Sequence, residues 1–134
     1  MAVQRQKITR VYKDFDLAFG KNEITGDVNK KLDVNAVKQS MKNLILTDLM
    51  ERPFQPDLGS ALAGLLFENA NMFTTDRIKV TLETLLKNFE RRAKINSIDV
   101  EPNIDKNSYG VTINFHVIGI NEPQELEVKL ERIR

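Results

Sequence analysis

The sequence predicts an α+β fold, with about three helices packed on one face of a small antiparallel C-terminal sheet of three or more strands. Two observations carry this. Through the first two thirds of the chain, apolar residues recur every three or four positions, as on one face of a helix. In the last third they alternate with polar residues, the period of a strand with one buried and one wet face. At 134 residues the chain suits one compact domain and is too short for a second core of useful size.

The first ten residues are polar and read as a flexible N-terminal arm, 1–10, leaving 11–134 as a single domain. Phe15, Leu17 and Phe19 alternate with Asp16 and Ala18, which predicts a short strand or an extended segment lying over a core. A polar connection follows, with Gly26 as its turn. Asp33 suits the N-cap of a first helix, whose apolar face is Val34, Val37, Met41, Leu44 and Ile45. The pattern stops near Thr47, because Pro53, Pro56 and Gly59 belong in no helix interior. Ser60 is placed to cap a short second helix carrying Leu62, Leu65 and Leu66. Thr74 or Thr75 is placed to start a third, with Asp76 in its first turn where the dipole favours an acid. Its stripe is Ile78, Leu82, Leu85, Leu86 and Phe89.

The period then changes. Ile98, Val100 and Ile104 form the first alternating set, and Tyr109, Val111, Ile113, Phe115 and Val117 the second. Leu126, Val128 and Leu130 form the third. Asp105–Ser108 and Gly119–Pro123 are the turns between them, so the simplest arrangement is an antiparallel meander with helices on its apolar face. Pro102 cannot donate a ladder hydrogen bond, which puts the first of these strands at an edge or bulges it there.

Composition excludes several classes. A formal net charge of +1 argues against nucleic acid as a partner, since phosphate-binding modules show a clear basic excess. The absence of cysteine removes disulfides and thiolate metal sites and fits assembly in a reducing cytoplasm. Arg5, Lys7 and Arg10 are followed by no apolar run, so neither a signal peptide nor a membrane span is predicted. His116 falls on the polar face of its strand without the partner ligands zinc would need, and reads as an ordinary half-exposed residue. No cofactor or metal is expected.

Three features remain as candidates. Glu68, after Leu65-Leu66-Phe67, is the best acid for a glycosidase, with Asp57 or Asp76 opposite, because burial would raise its pKa. Among 19 acidic residues, however, such a pair can always be nominated. Glu90-Arg91-Arg92 reads either as a charged helix end or as an ion-pairing patch for a partner. Arg52-Pro53-Phe54-Gln55-Pro56-Asp57-Leu58-Gly59 sets an aromatic between two prolines. It reads either as a connector with Phe54 in the core or as a loop preshaped for binding.

Taken with Asp14–Phe19, Ala36–Thr47, Leu65–Asn69 and Asn88–Arg92 in the same order and separation, that loop resembles a known family. It is the baseplate wedge and sheath-initiator family of contractile phage tails, related to the wedge component of type VI secretion baseplates. The resemblance covers about residues 11 to 132, and Arg-Pro-Phe-x-Pro is its most specific part. It departs at Arg91, where the family typically has proline between Glu and Arg.

What the resemblance implies is a structural, non-enzymatic virion protein of the tail baseplate, assembled in the host cytoplasm. Glu90 and Arg92 would dock on the larger wedge proteins, with Arg52, Pro53, Phe54 and Pro56 as loop contacts. The strand Leu126, Glu127, Val128, Lys129 and Leu130 would pair with the tail sheath protein and start its polymerisation; tail tube-proximal proteins are further possible partners. No nucleic acid and no membrane are implied. Two alternatives stay open: a peptidoglycan-cleaving lysozyme-like enzyme using Glu68 or Glu90, and a type VI secretion baseplate wedge component.

Overall fold

The computed structural model describes residues 13–15, 20–21, 23–27 and 30–131, so the expected arm at 1–10 lies outside the described residues. Eight elements follow one another: β1 (Lys13–Phe15), β2 (Lys30–Leu32), α1 (Asp33–Leu46), α2 (Leu62–Leu66), α3 (Met72–Phe89), β3 (Ala93–Asn103), β4 (Ser108–Val117) and β5 (Gln124–Glu131). β3, β4 and β5 form an antiparallel meander in that order, and β1 pairs with β2 in a separate two-stranded ribbon. The α+β architecture read from the two periods is the architecture observed.

The helices obey their apolar spacing. Val37, Met41, Leu44 and Ile45 of α1 pack with Ile78, Leu82, Leu85 and Leu86 of α3 in one core with the sheet. Val34 is half-buried against this core, and Phe89, the last residue of α3, remains 40% exposed. Asp33 opens α1 at φ +50, a left-handed backbone that Asp tolerates better than most residues.

Two capping expectations are corrected. Ala61, not Ser60, precedes α2, and it gives no side-chain cap. Ser60 is instead buried, its hydroxyl donating to Ile45 O at 2.8 Å and its N–H to Thr47 O at 2.7 Å, so it answers the end of α1. Likewise α3 begins at Met72, capped by the Asn71 side chain, which accepts from Thr74 N at 2.8 Å. That satisfies one of the helix's unpaired N-terminal donors, and it moves Thr74, Thr75 and Asp76 inside the helix.

In the sheet, Tyr109, Val111, Ile113, Phe115 and Val117 are buried on one face of β4 while Thr112, Asn114 and His116 stay half-buried on the other. β3 starts at Ala93, five residues before its alternation becomes regular. The cause is a bulge: Ile95 pairs with Phe115 and Ser97 with Asn114, leaving Asn96 as an extra residue. The bulge resets the period, so Ile95 and Ile98 face the same side, both opposite core residues of β4. Ile104 lies past the strand and is 69% exposed. β3 is an edge strand with Pro102 in it, as the missing donor required.

Candidate functional site

The end of α3 brings Glu90 and Arg92 together. Glu90 is the C-cap, its N–H closing on Leu86 O at 2.9 Å. Two residues on, the Arg92 guanidinium meets the Glu90 carboxylate side-on, Nε to Oε1 at 2.8 Å and a terminal nitrogen to Oε2 at 3.0 Å. Glu90 is only 4% exposed, whereas the Arg92 side chain keeps 29% of its surface. Burial alone would push the Glu90 carboxyl up. Hydrogen bonds from the Arg92 side chain and the Ser40 hydroxyl, with the Arg92 charge and backbone N–H, outweigh burial and hold it below the usual carboxylate value. Glu90 therefore fixes the orientation of Arg92 from inside the fold, and the exposed Arg91 stands beside the pair. Ile118 N donates to Arg92 O at 2.8 Å and fixes the turn to the end of β4.

The proline loop stands out from the fold. Arg52, Pro53, Phe54 and Pro56 are all exposed, and Phe54 is 98% exposed, which removes the reading that plugs it into the core. The loop is nonetheless ordered from within. Met50 N donates to Pro56 O at 2.9 Å, Gln55 N to Arg52 O at 3.2 Å and Leu58 N to Gln55 O at 3.1 Å. Asp48 and Ser60 bridge its ends. Gly59, at φ +141, packs so closely there that a Cβ would come within 2.6 Å of Asp48 O.

Leu126–Leu130 lie on β5, whose eight residues pair with β4 in unbroken register from Ser108–Glu131 to Phe115–Gln124. Val128 and Leu130 point into the core, while Glu127 and Lys129 are exposed, and Lys129 pairs with Glu131. Among the described residues no strand lies on the other side of β5. Its Leu130 end borders an apolar groove of about 300 Å³ lined by Leu46, Leu62, Ala63, Leu66 and Phe67.

Residues weighed for chemistry do not converge. Arg77 holds Glu68 at the surface, at 2.9 and 3.0 Å from its two oxygens, and also lies 5.9 Å over the Phe73 ring. A cavity of about 230 Å³ beside Glu68 reaches Tyr109, and neither Asp57 nor Asp76 lines it. Two carboxylates flanking a sugar bond are what glycoside hydrolysis normally uses, and Glu68 is the one acid in that lining. His116 Nδ1 lies 2.6 Å from the Asn96 amide nitrogen, and no metal-binding cluster occurs among the described residues. No helix among them is long and apolar enough to cross a membrane.

Sequence reasoning missed Ser40 and the bulge at Asn96. Ser40 carried no signal, being one polar position on α1. The broken alternation between Ile95 and Ile98 was a signal for the bulge.

The fold defines a class: a small two-layer domain in which helices cover one face of a three-stranded meander and both outer strands lack a further partner among the described residues. The profile of the baseplate wedge protein gp25 family matches residues 32–122, and the chain belongs to that family. It is 32% identical over 125 residues to baseplate wedge protein gp25 of Enterobacteria phage T4, covering 92% of each chain. Among solved structures, a candidate tail lysozyme from Geobacter sulfurreducens superposes with TM-score 0.67 at 20% identity, over 73% of this chain and 89% of that one. The baseplate of the anti-feeding prophage contains a chain with TM-score 0.64 at 18% identity, over 92% of this chain and 88% of that one. These two likenesses concern the fold.

Proposed function

We propose that this protein is a structural wedge subunit in the baseplate of a contractile phage tail, docking on the larger wedge proteins and starting sheath polymerisation. Membership of the gp25 family supports the baseplate role. Docking runs through Arg92, aimed by Glu90, and through the loop of Arg52, Pro53, Phe54 and Pro56. The virion tail is its destination and the host cytoplasm its place of assembly.

The observation that carries the sheath reading is the contrast between the two sheet edges. β3 has a bulge at Asn96 and a proline at position 102, both devices that discourage strand addition. β5 has neither over its eight paired residues. Its outer N–H and C=O groups, which no strand among the described residues meets, suit an incoming strand, and the apolar groove at its Leu130 end would take a side chain of that strand. The exposed Glu125, Glu127 and Glu131 favour a partner strand bearing cations and discourage indiscriminate pairing.

Because the chain has no cysteine, single cysteines can be placed cleanly. A short photo-crosslinker on Glu127→Cys should capture the sheath protein of the same tail, and one on Asp99→Cys of β3 should not. Capture from neither position, or from 99 alone, would end the sheath reading.

A further inference from the structure

Arg91 has no part in the Glu90–Arg92 pair, yet it lines a groove of about 660 Å³ between the last turns of α3 and the start of β3. Ala93 and Ile95, both half-buried, and Ile118, 57% exposed, give this groove an apolar floor. Lys87, Arg91 and Lys94 stand around it, all exposed and none in an ion pair among the described residues. Of the two acids in the lining, Glu90 is neutralised by Arg92, which leaves Glu83 against three cations.

Cations at the end of a helix answer its dipole, and that accounts for Lys87 and Arg91. It does not account for Lys94, which stands on β3, nor for the exposed isoleucine between them. An apolar floor with charges of one sign along its rim is the complement of an amphipathic segment bearing charges of the other sign.

We propose that the groove receives an acidic amphipathic segment of the larger wedge protein. Its carboxylates would meet Lys87, Arg91 and Lys94, and its apolar residues would cover Ile95 and Ile118. This rests on the docking reading above and adds the chemistry of the partner. Arg91 thereby gains a role of its own beside Arg92, extending the docking surface from one aimed guanidinium to a cationic rim.

The test is titration calorimetry of the full chain against the larger wedge proteins of the same tail, at low and at high salt. All three rim positions are exposed, so Lys87→Glu/Arg91→Glu/Lys94→Glu should fold; circular dichroism verifies this. The triple variant should bind about tenfold more weakly or worse at low salt, and its affinity should fall less steeply with added salt. Ile118→Asp should weaken binding at both salt levels. Wild-type affinity and salt dependence in the triple variant would overturn the inference. In that case Arg92→Ala decides the wider reading: a binding loss there overturns the groove alone, and unchanged binding overturns docking at this end of α3 as well.

Discussion

Arg92 reaches back two residues to close a bidentate pair on Glu90, at 2.8 and 3.0 Å, with the carboxylate almost wholly out of solvent. The pair joins the end of α3 to the start of β3, and Ser40 adds α1 to the same carboxylate. Removing Arg92 leaves a buried charge with one hydroxyl and backbone support. Arg92→Ala should therefore cost roughly 2–4 kcal/mol in urea unfolding, between the surface and buried limits for ion pairs. Arg91→Ala next to it should stay within about 0.5 kcal/mol.

The same carboxylate makes stability depend on acid. Its folded pKa lies below the ordinary 4.5, so the unfolded chain holds the proton more tightly. The contribution is complete above the unfolded value and fades as pH falls through the folded one. Wild type should lose more stability than Glu90→Gln between about pH 5 and about pH 3. Denaturation curves across that window check it, and parallel curves would show that the pair adds nothing. Glu131 is also lowered, by Lys129, but it is fully exposed and common to both proteins.

The proline loop separates stability from binding. Gly59→Ala forces a Cβ to within 2.6 Å of Asp48 O at a φ of +141, and should cost at least about 2 kcal/mol in thermal unfolding. Phe54, 98% exposed, has no place in the core. Phe54→Ala should leave stability within about 0.5 kcal/mol and weaken wedge binding about tenfold, as loss of an aromatic anchor does. Unchanged affinity would remove Phe54 from the docking surface.

What was legible in the sequence followed from burial on one face. The stripes of α1 and α3 and the alternation of β4 and β5 could be read because the core accepts apolar side chains from one side only. Pro102 announced an edge by the bond it cannot make. Caps were misread because Ser60, Thr74 and Thr75 are all good capping residues, and which helix end such a residue answers depends on how the chain returns. Ser60 turned back to the carbonyls of α1, which no local pattern encodes. The strand before Phe19 was placed late: β1 is Lys13–Phe15, pairs with β2 and leaves Phe15 59% exposed, while Leu17 and Phe19 lie outside the described residues. At the candidate site, the Glu90–Arg92 charges were visible in the sequence. Their pairing with each other was not, because it needs the turn that follows α3.

Asn96 offers a test of why β3 is irregular. Ile95 and Ser97 already face consecutive residues of β4, Phe115 and Asn114, so deleting Asn96 leaves a continuous ladder with every core side chain on its present face. The lost contact is the hydrogen bond to His116, an exposed one. Stability should fall by less than about 1.5 kcal/mol. The straightened strand, however, presents more of an unbroken edge, and such edges pair with copies of themselves. The deletion variant should self-associate at concentrations where wild type does not, as sedimentation velocity would show. A variant that is much less stable but no more associated would mean that the bulge serves packing at the α3–β3 turn. An associated variant of near-normal stability would mean that it guards the edge, leaving β5 as the side of the sheet open to a partner.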